Sequence, residues 1–530
     1  MEGMANDDVD VARRYHEATK HSYSSVRARG EPLDWSNQPL PFKIFPDLPP
    51  IALPRDFAAS GVSALAAIAR QVRRIHSGAA DDGERVPSLR QLAYLLFFSA
   101  GITRRRQGPG GEVGFRAASC TGALYEIELY VVCQDLDGLP AGVYHFGPAD
   151  FALRALRRGD LRQALAAATG DEPAVRHAPV TIVCTGTYWR NAWKYRARTY
   201  RHFGWDNGTI LANLLAASTA LDLPAGVVCG FVDETVNEML GLDVEREVSF
   251  SMVPVGHVSA APPAAPPLER LDFRTLPLSR TEVDYPVMRE LHAASALRAP
   301  EEVAGWRAAA RGTVLNAPAA VERRGPGIPL PAETHEAAGD AFEEVVLRRG
   351  STRRFQRGAA WSLPQLSAAL GGTMLGIPAD FLGTLGASAL MPLLNDTYLI
   401  VHAVEGLAPG AYVLHRPFEL ELLKEGLFRD EAGYLGLEQD LPADASLVVF
   451  FLADLRAILG SLGNRGYRAA QLEAGILGGK LYLAAYAQRL GASGLTFYDD
   501  DVVDFFSPHA AGKSAIFCMT LGRPMPRRPT

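Results

Sequence analysis

The stretch YVVCQDLDGLPAGVY (residues 130–144) is answered by YLIVHAVEGLAPGAY (residues 398–412), and the pairing of the two decides the fold. Tyr130, Gly138, Gly142 and Tyr144 match Tyr398, Gly406, Gly410 and Tyr412 at a constant spacing of 268 residues. Farther along, Tyr200, Arg201, Gly208, Leu214 and Ala217 match Tyr467, Arg468, Gly475, Leu481 and Ala484 at 267. A single deletion between two collinear blocks is what an internal duplication leaves behind. Two copies of one domain are therefore expected in the 530-residue chain, each with enough residues for its own core.

Each copy reads in the same order. An amphipathic helix (89–100; 363–374) precedes a strand (127–133; 397–403) and a turn with a short strand (142–146; 410–414). A polar helical stretch leads to a β-rich run (180–185; 446–453), a long apolar helix (209–221; 476–490) and a closing strand (249–255; 514–521). Helices and strands alternate without regular crossover units, so an α+β fold is expected. Prolines 39, 41, 46, 49, 50 and 54 mark residues 1–55 as an arm lying over a domain. Residues 56–258 form the first domain, 259–340 a Pro/Ala-rich linker with short helices, and 341–530 the second domain.

The bulk composition is that of a globular protein, with 48% hydrophobic and 21% charged residues. A net charge of −6 speaks against nucleic acid or an anionic membrane as the main partner. Five cysteines with no C-x-x-C pair suggest neither a disulfide framework nor a zinc knuckle. Glu2, Asp7, Asp8 and Asp10 stand where a secretory signal would be basic, and no apolar run reaches the roughly 18 residues of a membrane span. A cytoplasmic protein is the expectation.

The sharpest chemical motif is Arg349-Gly350-Ser351-Thr352-Arg353, at the head of the second copy. Two guanidinium groups, a hydroxyl and a small residue suit a phosphate, which takes paired charge-assisted hydrogen bonds; a solvated basic turn is the plain alternative. Aligning the following helices places Ile75, Ser77 and Ala79 opposite Arg349, Ser351 and Arg353, so the first copy has lost this grip. What the first copy keeps is SCTGALYE (residues 119–126), a small-residue turn whose backbone amides can approach a flat ligand.

These features together, with RYHEATKHS (residues 14–22), resemble the nitroreductase superfamily, and within it the SagB/ThcOx-type dehydrogenases, some of which are azoline oxidases. The resemblance implies two FMN-dependent domains forming an intramolecular pseudo-dimer, with flavin at the interface. It assigns the FMN phosphate to Arg349, Ser351 and Arg353, and the border of the flavin to Cys120, Thr121 and Gly122 of the other copy. Gly494, in the turn 491–496, would pass its backbone near the isoalloxazine ring, and Arg523 is a further phosphate ligand. The family's Pro-Ser-x-Gly turn is replaced here by Ser119 and Cys120, and Glu126 stands in place of a proline. Lys194 and Tyr195 match the lysine and tyrosine of azoline-oxidising members; the ammonium would lower the phenol's pKa and let Tyr195 take a proton from substrate carbon. Sequence neighbours on a regular helix diverge by about 100°, so this pair needs a helix end or an irregular segment.

The implied activity is an FMN-dependent oxidation of a heterocyclic, azoline-like or peptide-derived substrate in natural-product biosynthesis, with a cyclodehydratase-type partner enzyme and a homodimer as expected associations. A NAD(P)H-dependent nitro or quinone reductase, and a binding scaffold without catalysis, are the competing readings. No metal is expected. His16, Glu17 and His21 have the wrong spacing for a zinc-protease helix. Gly108, Gly110, Gly111 and Gly114 read as a mobile loop beside Arg104, Arg105 and Arg106. Asp499, Asp500 and Asp501 cannot all face one ion, and Asp500 matches Asp233 as a helix N-terminal signal.

Overall fold

The computed structural model describes residues 6–28, 32–69, 83–108, 111–312, 325, 327–330, 339–383, 393–415 and 418–526. Its strands, in chain order, are β1 (Ile51–Ala52), β2 (Ile102–Gly108), β3 (Gly111–Arg116), β4 (Ile127–Cys133), β5 (Gly142–Gly147), β6 (Ala152–Arg158), β7 (Val180–Thr187) and β8 (Glu247–Val255). They continue as β9 (Ile328–Pro329), β10 (Asn395–Val401), β11 (Gly410–His415), β12 (Glu419–Glu425), β13 (Leu447–Ala453), β14 (Gly491–Leu495) and β15 (Ser514–Gly522). One antiparallel sheet has the order β1-β6-β5-β4-β7-β8 and a second the order β14-β15-β13-β10-β11-β12-β9. Tyr130 sits on β4 and Tyr398 on β10, each strand central in its sheet. The succession β6-β5-β4-β7-β8 thus has the same order, turn for turn, as β12-β11-β10-β13-β15.

Matching helices are capped in matching ways. Ser88 and Gln91 form a reciprocal capping box at the start of Leu89–Ala100, and Ser362 and Gln365 do the same for Leu363–Met374. The sequence showed only the second half of each long helix. They run over Thr199–Ala220 and Leu455–Ala487, the latter broken by a non-helical residue, Gly463. Their first halves carry buried polar side chains, among them Arg201, Asp206, Arg465 and Arg468. A helix buried on all sides has no amphipathic stripe to betray it.

The two helices cross at glycines. A Cβ added to Gly208 would come within 2.4 Å of the backbone of Gly475, and one on Gly204 within 2.4 Å of Gln471. Around the crossing sit two buried ion-pair clamps. Arg198 and Arg201 hold Asp499 at 2.9 and 2.6 Å, while Arg465 and Arg468 hold Asp233 at 2.6 and 2.8 Å. Each clamp is completed by a short segment: the Thr19 hydroxyl accepts from Arg201 and the His21 N–H donates to Asp499. In the other clamp the Ser295 hydroxyl accepts from Arg468 and the Leu297 N–H donates to Asp233. The helix Pro286–Ala294 in the linker therefore stands to Asp233 as the arm helix Asp10–Ala18 stands to Asp499.

Two sequence expectations are corrected. Asp499, not Asp500, is the counterpart of Asp233; Asp500 is exposed and pairs with Lys20. Three consecutive aspartates hid which one was buried. Gly108, Gly111 and Gly114, read as part of a mobile loop, lie on the paired strands β2 and β3, where Arg105 and Glu112 form an ion pair, while Gly110 lies outside the described residues. The segment around Ile75, Ser77 and Ala79 lies outside the described residues. No described helix is long and apolar enough to cross a membrane.

Candidate active site

Arg349 follows the helix Phe342–Arg348, and the residues after it run extended beside β14, where the Thr352 N–H donates to the Ala492 carbonyl at 2.9 Å. The Arg349 side chain is buried and reaches the end of β3. Its Nε donates to the carbonyl of Ala117 at 2.7 Å and its Nη2 to that of Arg116 at 3.2 Å, with the guanidinium 5.4 Å from the centre of the Tyr482 ring. The Tyr482 hydroxyl lies 3.1 Å from Ser351 Oγ and accepts the Gly494 N–H at 2.7 Å. Tyr482 thus joins two residues that the sequence nominated separately. The stretch 491–496, read as a turn, is mostly strand β14 against β15, because backbone pairing outweighs the weak strand preference of its glycines.

The facing wall is the turn at Cys120. The Thr121 N–H and hydroxyl both donate to Asp206 at 2.9 Å, and Cys120 Sγ lies 3.3 Å from carboxylate oxygens of Glu126 and Asp206. Glu473, at the spacing of 267 from Asp206, accepts the Leu394 N–H at 2.8 Å. Burial, and then the neighbouring Asp206, push the Glu126 carboxyl well above its ordinary range, so Glu126 carries the proton of this buried pair. Gly122 has φ of +65°, and a Cβ there would lie 2.9 Å from the Tyr195 hydroxyl. The turn needs a residue without a side chain both for its backbone and for this packing.

Lys194 and Tyr195 end the helix Tyr188–Tyr195, and the next residue, Arg196, has φ of +51°. Gly463, at the spacing of 267, has φ of +64°. The kink supplies the irregular geometry that two neighbouring side chains require. Its electrostatics are opposite to the expectation. Burial first, then Asp206, Cys120 and Glu126, raise the Tyr195 phenol, outweighing an ammonium 5.2 Å from its ring centre. Burial and then Arg353 lower the pKa of Lys194. At neutral pH Tyr195 is a hydrogen-bond donor, and Lys194 is the group nearer to serving as a base.

Between the two walls lies a cleft of about 630 Å³. Arg104, Arg106, Arg116, Arg349, Arg353 and Arg354 all line it, and no carboxylate is among the described lining residues. Cys120 and Ser351 line it as well. Thr121 and Gly122 stand behind the Cys120 wall, Gly494 reaches it through Tyr482, and Lys194 and Tyr195 flank it through Arg353 and Gly122. Arg523 is not brought in: its side chain is exposed, its carbonyl accepts the Gln356 N–H, and Pro524, Met525 and Pro526 line the cleft instead. Sequence reasoning missed Tyr482, Tyr486 and Asp206; the tyrosines' four-residue spacing on an otherwise small-residue helix was the available signal.

Residues 82–257 match the model of the nitroreductase family. A protein of Methanocaldococcus jannaschii named as a nitroreductase is 27% identical over 169 residues, which are 32% of this chain and 80% of that one. A crystal structure of a protein from Anabaena variabilis, described as a nitroreductase, covers 97% of this chain and 99% of its own at 26% identity, with a TM-score of 0.73. Residues 82–257 are thus similar to the nitroreductase family, and the chain shares the mixed helix-and-sheet fold of that solved structure.

Proposed function

We propose that the chain is a fused pseudo-dimer of two nitroreductase-like units, near residues 56–258 and 341–530, with one FMN in the cleft between them, and that it oxidises an azoline-like or peptide-derived substrate. The observation that carries this is the cleft itself, with Arg349, Ser351 and Arg353 on one wall and Cys120 on the other. Its volume is that of a cofactor pocket and its six guanidinium groups suit a phosphate-bearing ligand. Arg353 and the Ser351 hydroxyl would hold the phosphate, and Arg349, anchored on the Ala117 carbonyl, would fix the wall in place. When bound, the flavin supplies a two-electron acceptor for a hydride. Lys194 would take the substrate proton and Tyr195 would donate a hydrogen bond that orients the substrate. The azoline assignment rests on the resemblance of this pair to the oxidising members of the family.

The test is the flavin released per chain on denaturation, for the wild type and for Arg349→Ala/Arg353→Ala. One FMN per chain, lost in the variant, supports the composite site; none after reconstitution moves the reading to a binding scaffold. Oxygen consumption that depends on an azoline-containing peptide, without NAD(P)H, supports oxidation. Activity only with NAD(P)H and a quinone overturns it in favour of a reductase, a reading that Arg104 and Arg106 of β2 favour because they suit dinucleotide phosphates.

A further inference from the structure

Away from the cleft, one face of the second sheet gathers a set of metal-ligating side chains. Tyr398 on β10 pairs with Val413 on β11, which pairs in turn with Glu421 on β12. Residues directly opposite one another share a face of a sheet, and so do residues two apart on a strand. Tyr398, Glu421 and His415 therefore all lie on one face. His509, just beyond the helix Asp499–Phe506, closes over that face from the following loop.

His415, Glu421 and His509 each offer a ligand atom within 4.8 Å of the other two. His415 Nε2 is 2.6 Å from Glu421 Oε2, and Glu421 is buried. His509 Nδ1 is 2.9 Å from the Tyr398 hydroxyl, while its Nε2 is buried and has no hydrogen-bond partner. A buried ring nitrogen without a partner is costly. With Nδ1–H donated to the Tyr398 oxygen, Nε2 presents a lone pair, the arrangement in which an outer hydrogen bond fixes the tautomer of a metal-binding histidine.

We infer that His415, Glu421 and His509 bind a divalent transition-metal ion, with zinc the best fit, and that the ion staples the loop carrying His509 onto the β11–β12 hairpin. Two imidazoles and one carboxylate form a set that zinc accepts, with solvent in the fourth position. The ion takes the place of the direct His415–Glu421 contact. Bond lengths of about 2.0–2.2 Å require those two atoms to part to roughly 3.3 Å, a small side-chain movement. None of the three residues lines the arginine cleft, so the site does not depend on the flavin reading.

The experiment uses the full chain, stripped with a chelator and titrated with Zn²⁺ against a chromophoric competitor, with the melting temperature followed in parallel. Expected are one equivalent of tightly bound zinc and a rise of several degrees in the melting temperature. His509→Ala and His415→Ala should remove the binding, and Tyr398→Phe should weaken it by about tenfold or more. The other close group of candidate ligands among the described residues is Cys120, Glu126 and Asp206, so Cys120→Ser must leave the titration unchanged. Absence of saturable binding, binding that survives both histidine variants, or loss in Cys120→Ser alone overturns the inference. If His509→Ala does not fold, Tyr398→Phe and His415→Ala decide.

Discussion

Gly208 and Gly475, separated by 267 residues, lie backbone against backbone where the two long helices cross; a Cβ on Gly475 would come within 2.6 Å of the Gly204 carbonyl oxygen and 2.7 Å of that of Trp205. The contact is with main chain, which cannot rotate away. Gly208→Ala and Gly475→Ala should each destabilise the protein by about 1–3 kcal/mol, the ordinary cost of overpacking. Urea denaturation measures this, and an unchanged midpoint for both would show that the helices part at no cost.

Removing Asp233 or Asp499 leaves two arginines buried without a counter-charge. Asp499→Ala and Asp233→Ala should each cost about 3–5 kcal/mol. Burial alone would raise both carboxyls, but Arg465 and Arg468 hold Asp233 down to about 2, and Arg198 and Arg201 hold Asp499 below its ordinary value. A depressed carboxyl stabilises the fold above the ordinary aspartate range, and that stability is lost as pH falls through the folded value. Denaturant midpoints should therefore hold down to about pH 4 and fall from there toward pH 2, less steeply in either alanine variant.

Arg196 adopts φ of +51° and ψ of −139° without being glycine, where Gly463 stands at the spacing of 267. Strain of this kind costs about 1–3 kcal/mol. Arg196→Gly should raise the melting temperature and, by loosening the kink, lower turnover. A variant that melts earlier would mean that the exposed Arg196 side chain contributes more than its backbone costs.

If Lys194 is the base, activity rises with pH through a value below that of an ordinary lysine, since burial and Arg353 both disfavour its charge. Lys194→Met should abolish that ascending limb. Tyr195→Phe should keep the limb and reduce the rate, because the phenol is raised and remains protonated throughout. An ascending limb that vanishes in Tyr195→Phe would return the role of base to the tyrosine.

The strands around Tyr130 and Tyr398 were legible because a short apolar run leads in each case to a turn with glycines. The Arg349 strip was legible because its residues are contiguous. Less visible were features that join distant segments. Asp206 reaches the Thr121 turn from a helix whose polar front half carries no periodic signal, and Tyr482 draws Ser351 and Gly494 together across more than a hundred residues. Short helices were expected in the linker, but the likeness of the one at His292 to the His16 arm rests on the Ser295 hydroxyl, the His292 carbonyl and the Leu297 N–H, too little to stand out in sequence. The sign of the Tyr195 shift was out of reach, since the burial that mainly sets it, and Asp206 after it, come from packing against distant parts of the chain.

The two clamps have a genetic consequence under the fused reading. In a dimer of identical chains every substitution appears on both sides, so a change that spoils one site spoils both. Here the Arg201–Asp499 and Arg468–Asp233 clamps are encoded by separate codons, as are Asp206 and Glu473, which already differ and each hold a backbone amide. Selection can preserve one half of the molecule for chemistry and let the other drift toward support, so the gene behaves as that of a heterodimer whose subunits are inherited, and made, in fixed proportion.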